Sequence, residues 1–344
     1  MAKNVRLSDI ADKLGVSTVT VSKALSGQKG VSDELREKII ELAEKMGYEK
    51  SEKTETERKS YTIGVIVADR YLQENQSFYW KIYQEISKKS ISVNCFPLLE
   101  VISHDAEESC ELPRVITEKK VDGLIVMGAF HKQYAEYLIK NVTIPLINLD
   151  TTTGWENCDC VVVNNLLGGY QMTNYLFELG HRDIGFVGTR LATSSIDDRY
   201  LGYCKALMEH GIEVRKDWIL DDRDREFGVV ESKTKFILPK EMPTAFFCNC
   251  DLSASLLIRK LEENGYNVPQ DVSVVGFDNY VTDQLSHVGI TTYEIDTIDM
   301  AKKAVHIIVH KIKNETYTAG VYTLAGRVIE RNSAMRTAPP VPFV

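Results

Sequence analysis

Apolar residues in the first fifty positions recur at helical spacing. Leu7, Ile10, Ala11 and Leu14 fall on one face of a helix that Gly15 stops. Ser17 stands where it can cap a second helix, whose Val21, Ala24 and Leu25 lie on one side ahead of Ser26-Gly27. Ser32 stands where it can cap a third. Asp33 and Glu34 put acid into its first turn, and Leu35, Ile39, Leu42, Ala43 and Met46 make a stripe before Gly47. Helices this short hold only by packing on one another.

The pattern then lapses. Residues 49–60, EKSEKTETERKS, have almost no apolar side chain and read as a solvated linker, with a marginal helix held by Glu–Lys pairs as the alternative. From Tyr61 the texture becomes strand–helix alternation. YTIGVIVAD, VDGLIVMG, IPLINLD, CDCVVVNN, HRDIGFVG, PTAFFCN and DVSVVGFD are short apolar runs, separated by helical patterns such as LLGGYQMTNYLFELG and RYLGYCKALMEHG. Runs apolar on both faces predict parallel sheets covered by helices on each side, with enough strands for two sheets and a cleft between them. The expected fold is therefore α/β, with a three-helix head at residues 1–48, a linker at 49–60 and a large domain at 61–344.

Composition narrows the classes. A chain of 344 residues accommodates two or three folded units. It has no run of 18 apolar residues, and its start, MAKNVRLSDI, has no apolar signal core, so a membrane span or export is not expected. Seven cysteines without framework spacing read as thiols in a reducing cytoplasm. The net charge of -8 hides an asymmetry: residues 1–30 hold Lys3, Arg6, Lys13, Lys23 and Lys29 against Asp9 and Asp12. Positive charge is needed only on the face that meets a duplex, so charge permits a nucleic-acid partner without showing one.

The spacing helix, Gly15-Val16-Ser17, helix, third helix matches a helix-turn-helix, whose second helix enters a major groove about 12 Å wide. Its exposed face would present Thr18, Val19 and Lys23 to base edges, with Ser17, Thr20, Ser22 and Ser32 as donors to phosphates. A plain helical bundle with those residues merely solvated is the alternative. In the large domain, parallel sheets bind ligands beyond the carboxyl ends of their strands. Asp69, Asp150, Arg199, Asp251 and Asp278 follow or flank such ends, and Phe78, Tyr79 and Phe227 could stack on a sugar ring. Carboxylates accept paired hydrogen bonds from adjacent hydroxyls, and a guanidinium supplies fixed donors in return.

The run VRLSDIADKLGVSTVTVSKALSGQKGVSDELREKIIELAEKMGY closely resembles the DNA-binding head of the lactose/galactose-repressor (LacI/GalR) family. The resemblance continues through VDGLIVMG, LFELGHRDIGFVG, RYLGYCKALMEHGI, PTAFFCNCD, VPQDVSVVGFDN and GITTYEID, in family order over nearly the whole chain. It implies a homodimeric repressor on a partly palindromic double-stranded operator, with an effector domain like periplasmic sugar-binding proteins. Its lobes would span about 61–162 with 291–321, and 163–290 with 322–336. It implies base reading by Thr18, Val19 and Lys23, backbone contact by Ser17 and Thr20, and effector contact by Asp150, Ser194, Arg199 and Asp278. The long loop Asp69–Phe78 is similar to that of some Gram-positive galactose-type regulators. A carbohydrate effector that releases DNA is the expectation, with a purine or a phosphorylated metabolite as alternatives.

Two departures from the family pattern stand out. Gly47-Tyr48 leads into a charged stretch, and Glu57 or its neighbour occupies the place where relatives carry a leucine wedge for the minor groove. A carboxylate there is repelled by phosphates, which implies weaker bending of DNA or a hinge that uses Lys53, Arg58 and Lys59 for phosphate contact instead. The usual Asn-Asp pair reads Cys250-Asp251, which takes an amide from the pocket edge.

Other chemistry finds little support. Cys158/Cys160 and Cys248/Cys250 lack companion ligands at zinc spacing, so no metal and no cofactor are expected. No nucleophile elbow, H-E-x-x-H or phosphate-binding glycine loop is present, so no enzyme is expected. Asp150 and Asp278 as an acid/base pair would make a sugar-processing enzyme, the competing class; a plain sugar carrier would need the cleft but not residues 1–47. The tail RTAPPVPFV has no heptad and predicts no coiled-coil tetramer.

Overall fold

The computed structural model describes residues 5–25, 30–46, 48, 60–72, 78–152, 154–155, 158–223, 236–280 and 287–337. The chain divides into two compact units, Met1–Ser60 and Tyr61–Val344.

The first unit contains α1 (Leu7–Leu14), α2 (Thr18–Leu25) and α3 (Asp33–Lys45). Ile10, Ala11, Val21, Ala24, Ile39 and Ala43 form its buried centre, as the helical spacing requires. Gly15 sits in the left-handed region at φ 64°, which closes α1 and sets the turn into α2. Ser17 caps α2, its Oγ accepting from Thr20 N at 3.1 Å. Ser32 is different. It occupies the N-cap position of α3 with extended backbone, but its side chain makes no cap hydrogen bond, so acidic first-turn residues and packing hold that end instead. Gly47 and linker residues 49–59, with the charged stretch that replaces the leucine wedge, lie outside the described residues.

The second unit begins with β1 (Tyr61–Ala68), α4 (Phe78–Ser92), β2 (Cys95–Ile102), α5 (His104–Glu108), α6 (Arg114–Thr117), β3 (Gly123–Met127), α7 (Lys132–Asn141), β4 (Leu146–Leu149) and β5 (Asp159–Val163). Next come α8 (Asn165–Glu178), β6 (Ile184–Val187), α9 (Ser194–Glu209), β7 (Ile219–Leu220), β8 (Ala245–Cys248), α10 (Asp251–Glu263) and β9 (Ser273–Val275). The unit closes with β10 (Thr292–Glu294), α11 (Thr297–Lys313), β11 (Val321–Leu324) and β12 (Arg327–Ile329). Among the described residues one parallel sheet runs β11-β5-β4-β3-β1-β2 and a second runs β7-β6-β8-β9. The short antiparallel pair β10–β12 lies in the crossover region. The α/β expectation of two parallel sheets holds.

β2 was not among the expected strands. It is an edge strand with Phe96, Leu98 and Val101 exposed, and it contains Pro97, which a sheet tolerates only at an edge. β11 lies wholly on the first sheet, three residues past the expected change of lobe after residue 321. The following segment returns to the second sheet, where Val274 N donates to Ser333 O at 2.8 Å.

α8 and α9 meet backbone to backbone. A Cβ on Gly169 would lie 2.3 Å from Arg199 O, and one on Gly202 would lie 2.2 Å from Leu166 O. The missing side chains let α9 approach closely enough for Arg199 to reach across to Asn165 on α8.

Candidate functional sites

The face of α2 opposite its packed residues carries Thr18, Val19, Ser22 and Lys23, all exposed, with Thr20 half-buried. Val19 is 60% exposed, and an aliphatic side chain left in water on a packed helix has no role in the head's own core. Thr20 faces its capping partner, the hydroxyls of Ser17 and Thr20 lying 2.9 Å apart. Ser32 is exposed at the start of α3. A basic, hydroxyl-rich surface with one apolar side chain suits base edges and thymine methyl groups.

In the second unit, Asp150 follows β4 at φ 86° and accepts from Tyr79 Oη at 2.7 Å. Its Oδ1 is buried and has no hydrogen-bond partner among the described residues. Burial pushes the Asp150 carboxyl up to about 6, against the opposing pull of the Tyr79 hydroxyl and Arg199. Tyr79 packs on Tyr71 and Phe78, with ring centroids at 4.7 and 5.6 Å. Asp69 begins the turn after β1, where its carbonyl accepts from Leu72 N; the ring this turn brings to Tyr79 belongs to Tyr71.

On α9, Arg199 is the organising cation. Its Nη2 lies 3.0 Å from Asp278 Oδ1, Nε donates to Asn165 Oδ1 at 2.9 Å, and Nη1 donates to Asn249 O. The guanidinium carbon sits 3.8 Å from the centre of the Phe277 ring. Asp278 is held at φ 93° by its backbone N–H to Tyr293 O, and its Oδ1 contacts Arg199 without accepting a well-aligned hydrogen bond. Burial raises the Asp278 carboxyl, while Arg199 and Arg223 lower it.

Cys250 and Asp251 are both buried close to these groups. Cys250 caps α10, its Sγ accepting from Ser253 N and standing 3.6 Å from Arg223 Nη2. Asp251 is buried, accepts from Thr292 Oγ1 at 2.6 Å and Tyr280 N at 3.2 Å, and burial pushes it up to about 8. Phe227 lies outside the described residues.

Contacts also cross between the elements of the two sheets. Ser194 Oγ is 3.2 Å from Thr151 Oγ1, Lys81 Nζ donates to Asn279 O at 3.5 Å, and the Phe78 and Tyr280 rings are 6.3 Å apart.

Sequence reasoning missed the Asp222–Arg223–Asn249 network. Asp222 accepts from Thr189 N (2.9 Å), Asn249 Nδ2 (2.6 Å), Arg223 Nη2 (2.9 Å) and Ser253 Oγ. Burial alone would raise that carboxyl, but Arg223 and these donors hold it well below the usual range. The available signal was Asp-Asp-Arg after a strand, yet β7 is two residues long and shows no periodicity. No group of three His, Cys, Asp or Glu side chains among the described residues is placed to hold a metal. No helix among them is long and apolar enough to cross a membrane.

Comparison with known proteins bears on both units. The family model described as bacterial regulatory proteins, lacI family, matches residues 6–51, and the periplasmic binding protein-like domain model matches residues 173–334. The HTH-type transcriptional repressor PurR of Vibrio campbellii is 26% identical over 333 residues, covering 96% of this chain and 98% of that protein. The same-named repressor of Aliivibrio salmonicida is 27% identical over 333 residues, covering 95% and 98%. Two solved structures share the fold. A transcriptional regulator CelR–cellobiose complex has a TM-score of 0.67 at 21% identity, covering 96% of this chain and 100% of that one. The lac repressor dimer bound to operator and the anti-inducer ONPF has a TM-score of 0.65 at 20% identity, covering 97% and 100%. Because the lacI-family head, the periplasmic-binding-protein-like domain and the full-length repressor relatives all fall in register on one chain, this protein belongs to the LacI/GalR family of DNA-binding transcriptional regulators.

Proposed function

We propose that this regulator is a homodimeric, cytoplasmic, non-enzymatic repressor whose α2 reads an operator through Thr18, Val19 and Lys23 and whose cleft binds a small carbohydrate. The observation that carries the effector reading is the buried Asp150 Oδ1, which accepts no hydrogen bond, facing the Arg199–Asp278 ion pair whose cation also acts on its charge. Asp150 and Asp278 follow strands of different sheets, and Arg199 pairs with Asp278 and lowers Asp150. Buried acceptors demand donors, and a ring bearing several hydroxyls supplies them from one rigid body. Tyr79, Phe78 and Tyr280 provide apolar ring faces beside them. The relatives are named repressors, and one fold neighbour was solved with cellobiose. The aromatic cluster also favours a second reading, a flat purine ring stacked on Tyr79. The lobes proposed are 61–163 with 291–324 and 164–290 with 325–336, bounds that keep β5 and β11 whole on the first sheet, closing on the effector. A ligand shifts DNA affinity only through different affinities for open and closed forms.

Alanine at Thr18, Val19 and Lys23 together is expected to collapse the preference for operator over scrambled duplex by 100-fold or more, at about 1–3 kcal/mol per base contact. Fluorescence anisotropy with both duplexes measures the ratio, and an unchanged ratio rules the assignment out. Calorimetric titration with sugars and nucleobases, followed by operator binding with each hit, separates the two effector readings. Turnover of a bound sugar would instead support an enzyme.

Effector affinity is expected to fall as pH drops from about 7 to about 5, by up to tenfold per unit. Hydroxyls donating to Asp150 Oδ1 favour its ionised form, so binding must expel the proton that Asp150 holds below its value of about 6. Asp150→Asn removes this slope; a flat wild-type profile would argue against Asp150 as a ligand.

A further inference from the structure

We infer that Arg36, on α3, is a positioning residue of the DNA reader, fixing the last turn of α2 and with it the Lys23 side chain. The inference rests on the assignment of α2 as the base-reading helix. α2 has eight residues, so its last-turn carbonyls make up half of its acceptors and have no partners within the helix. Arg36 Nη1 donates to Ala24 O at 2.9 Å and reaches Lys23 O at 3.4 Å. One guanidinium nitrogen thus bridges two successive carbonyls at the negative end of the helix, where a cation is also favoured by the peptide dipoles. The clamp is rigidly based. Arg36 N donates to Ser32 O in the first turn of α3, and α3 is seated through Ile39 and Ala43 on the same small core that buries Val21 and Ala24.

The geometry separates two jobs. The apolar contacts of Val21 and Ala24 set which face of α2 is outward, whereas Arg36 fixes where the final turn ends. Thr18 and Val19 lie in the first turn, remote from the clamp along the helix. Lys23 carries one of the two clamped carbonyls. Loosening the clamp should therefore blur recognition at the base pair read by Lys23 and leave recognition by Thr18 and Val19 in place. Lysine offers a compact ammonium instead of a planar fork, so Arg36→Lys keeps the charge at the helix end and loses part of the geometry.

The test is selection from a randomised duplex pool with the full-length wild type, Arg36→Ala, Arg36→Lys and Lys23→Ala, followed by sequencing. Arg36→Ala is expected to lose base preference on the order of tenfold at the positions that Lys23→Ala loses, and to keep the rest of the motif. Arg36→Lys should lose less at the same positions. An unchanged motif in Arg36→Ala, or a loss spread evenly over all positions, overturns the inference, because even loss marks a phosphate contact or a general scaffold. If Arg36→Ala does not fold, as judged by circular dichroism, Arg36→Lys decides by the same criterion. Failure of the wild type to enrich any motif would sink the operator-reading assignment itself, a distinguishable result.

Discussion

Arg199→Leu is expected to lower the free energy of unfolding of the large domain by about 3–5 kcal/mol and to abolish effector binding. Both members of the Arg199–Asp278 pair are nearly buried, with side chains 7% and 9% exposed. Leucine would leave the Asp278 carboxylate without its cation, and would leave Asn165 Oδ1 and Asn249 O without the donors they now have. Asp278 already sits above its ordinary range through burial, so loss of Arg199 drives it further toward the neutral form. The defect should therefore shrink in mildly acidic solution, where protonation removes the stranded charge. Arg199→Leu/Asp278→Asn should recover stability on the order of 1–3 kcal/mol relative to the single variant, without recovering effector binding. Denaturant melts of the three proteins at pH 6 and 8 measure these differences. A single-variant loss below about 1 kcal/mol would show that the pair is a solvated contact.

Asp251→Asn is expected to leave stability nearly unchanged at pH 4, to raise it by about 2–3 kcal/mol at pH 6 and by up to about 5 kcal/mol at pH 9. The folded-state value of about 8 stands above that of an unfolded aspartate, about 4. Between those two values the folded protein holds a proton that the unfolded chain has released. The stabilisation is complete below about pH 4 and is lost as pH rises through 8. Asparagine reproduces the protonated acid: its amide can donate to Thr292 Oγ1 while its oxygen accepts from Tyr280 N, the two contacts Asp251 makes. The charge that costs stability at high pH is then absent. Melts across pH 5–9 should show a falling wild-type curve and a flatter variant curve. Parallel curves would mean that Asp251 stays ionised throughout.

Much of the molecule was readable from its pattern. Leu7, Ile10, Ala11 and Leu14 mark α1 because a helix in a three-helix head must turn one stripe inward. The fully apolar runs around Ile63, Leu124 and Phe246 mark strands because a parallel sheet is covered on both faces. β2 escaped because an edge strand needs neither feature, and Pro97 counts against it. Asp251 and Cys250 look like pocket residues in sequence because they follow a strand. That the same side chains hydrogen-bond Thr292, Tyr280 and Ser253 shows only in the fold. Tyr71 and Thr151 carry no local signal and Asp222 only a weak one, since each gains its place from a partner more than thirty residues away or from a ring on another element.

The amino-acid order alone determined the architecture and the family: helical stripes, paired-face strands and a head-to-body order are local or periodic features, and periodicity is written directly along a chain. It also nominated the charged groups at strand ends. Only the tertiary structure decided which of those groups share an environment. Two carboxylates far apart in sequence become coupled when the fold brings them into one poorly hydrated space, as Asp150 and Asp278 are around Arg199. Burial and neighbouring charge, which set both their hydrogen bonding and their protonation, exist only after the sheets have packed.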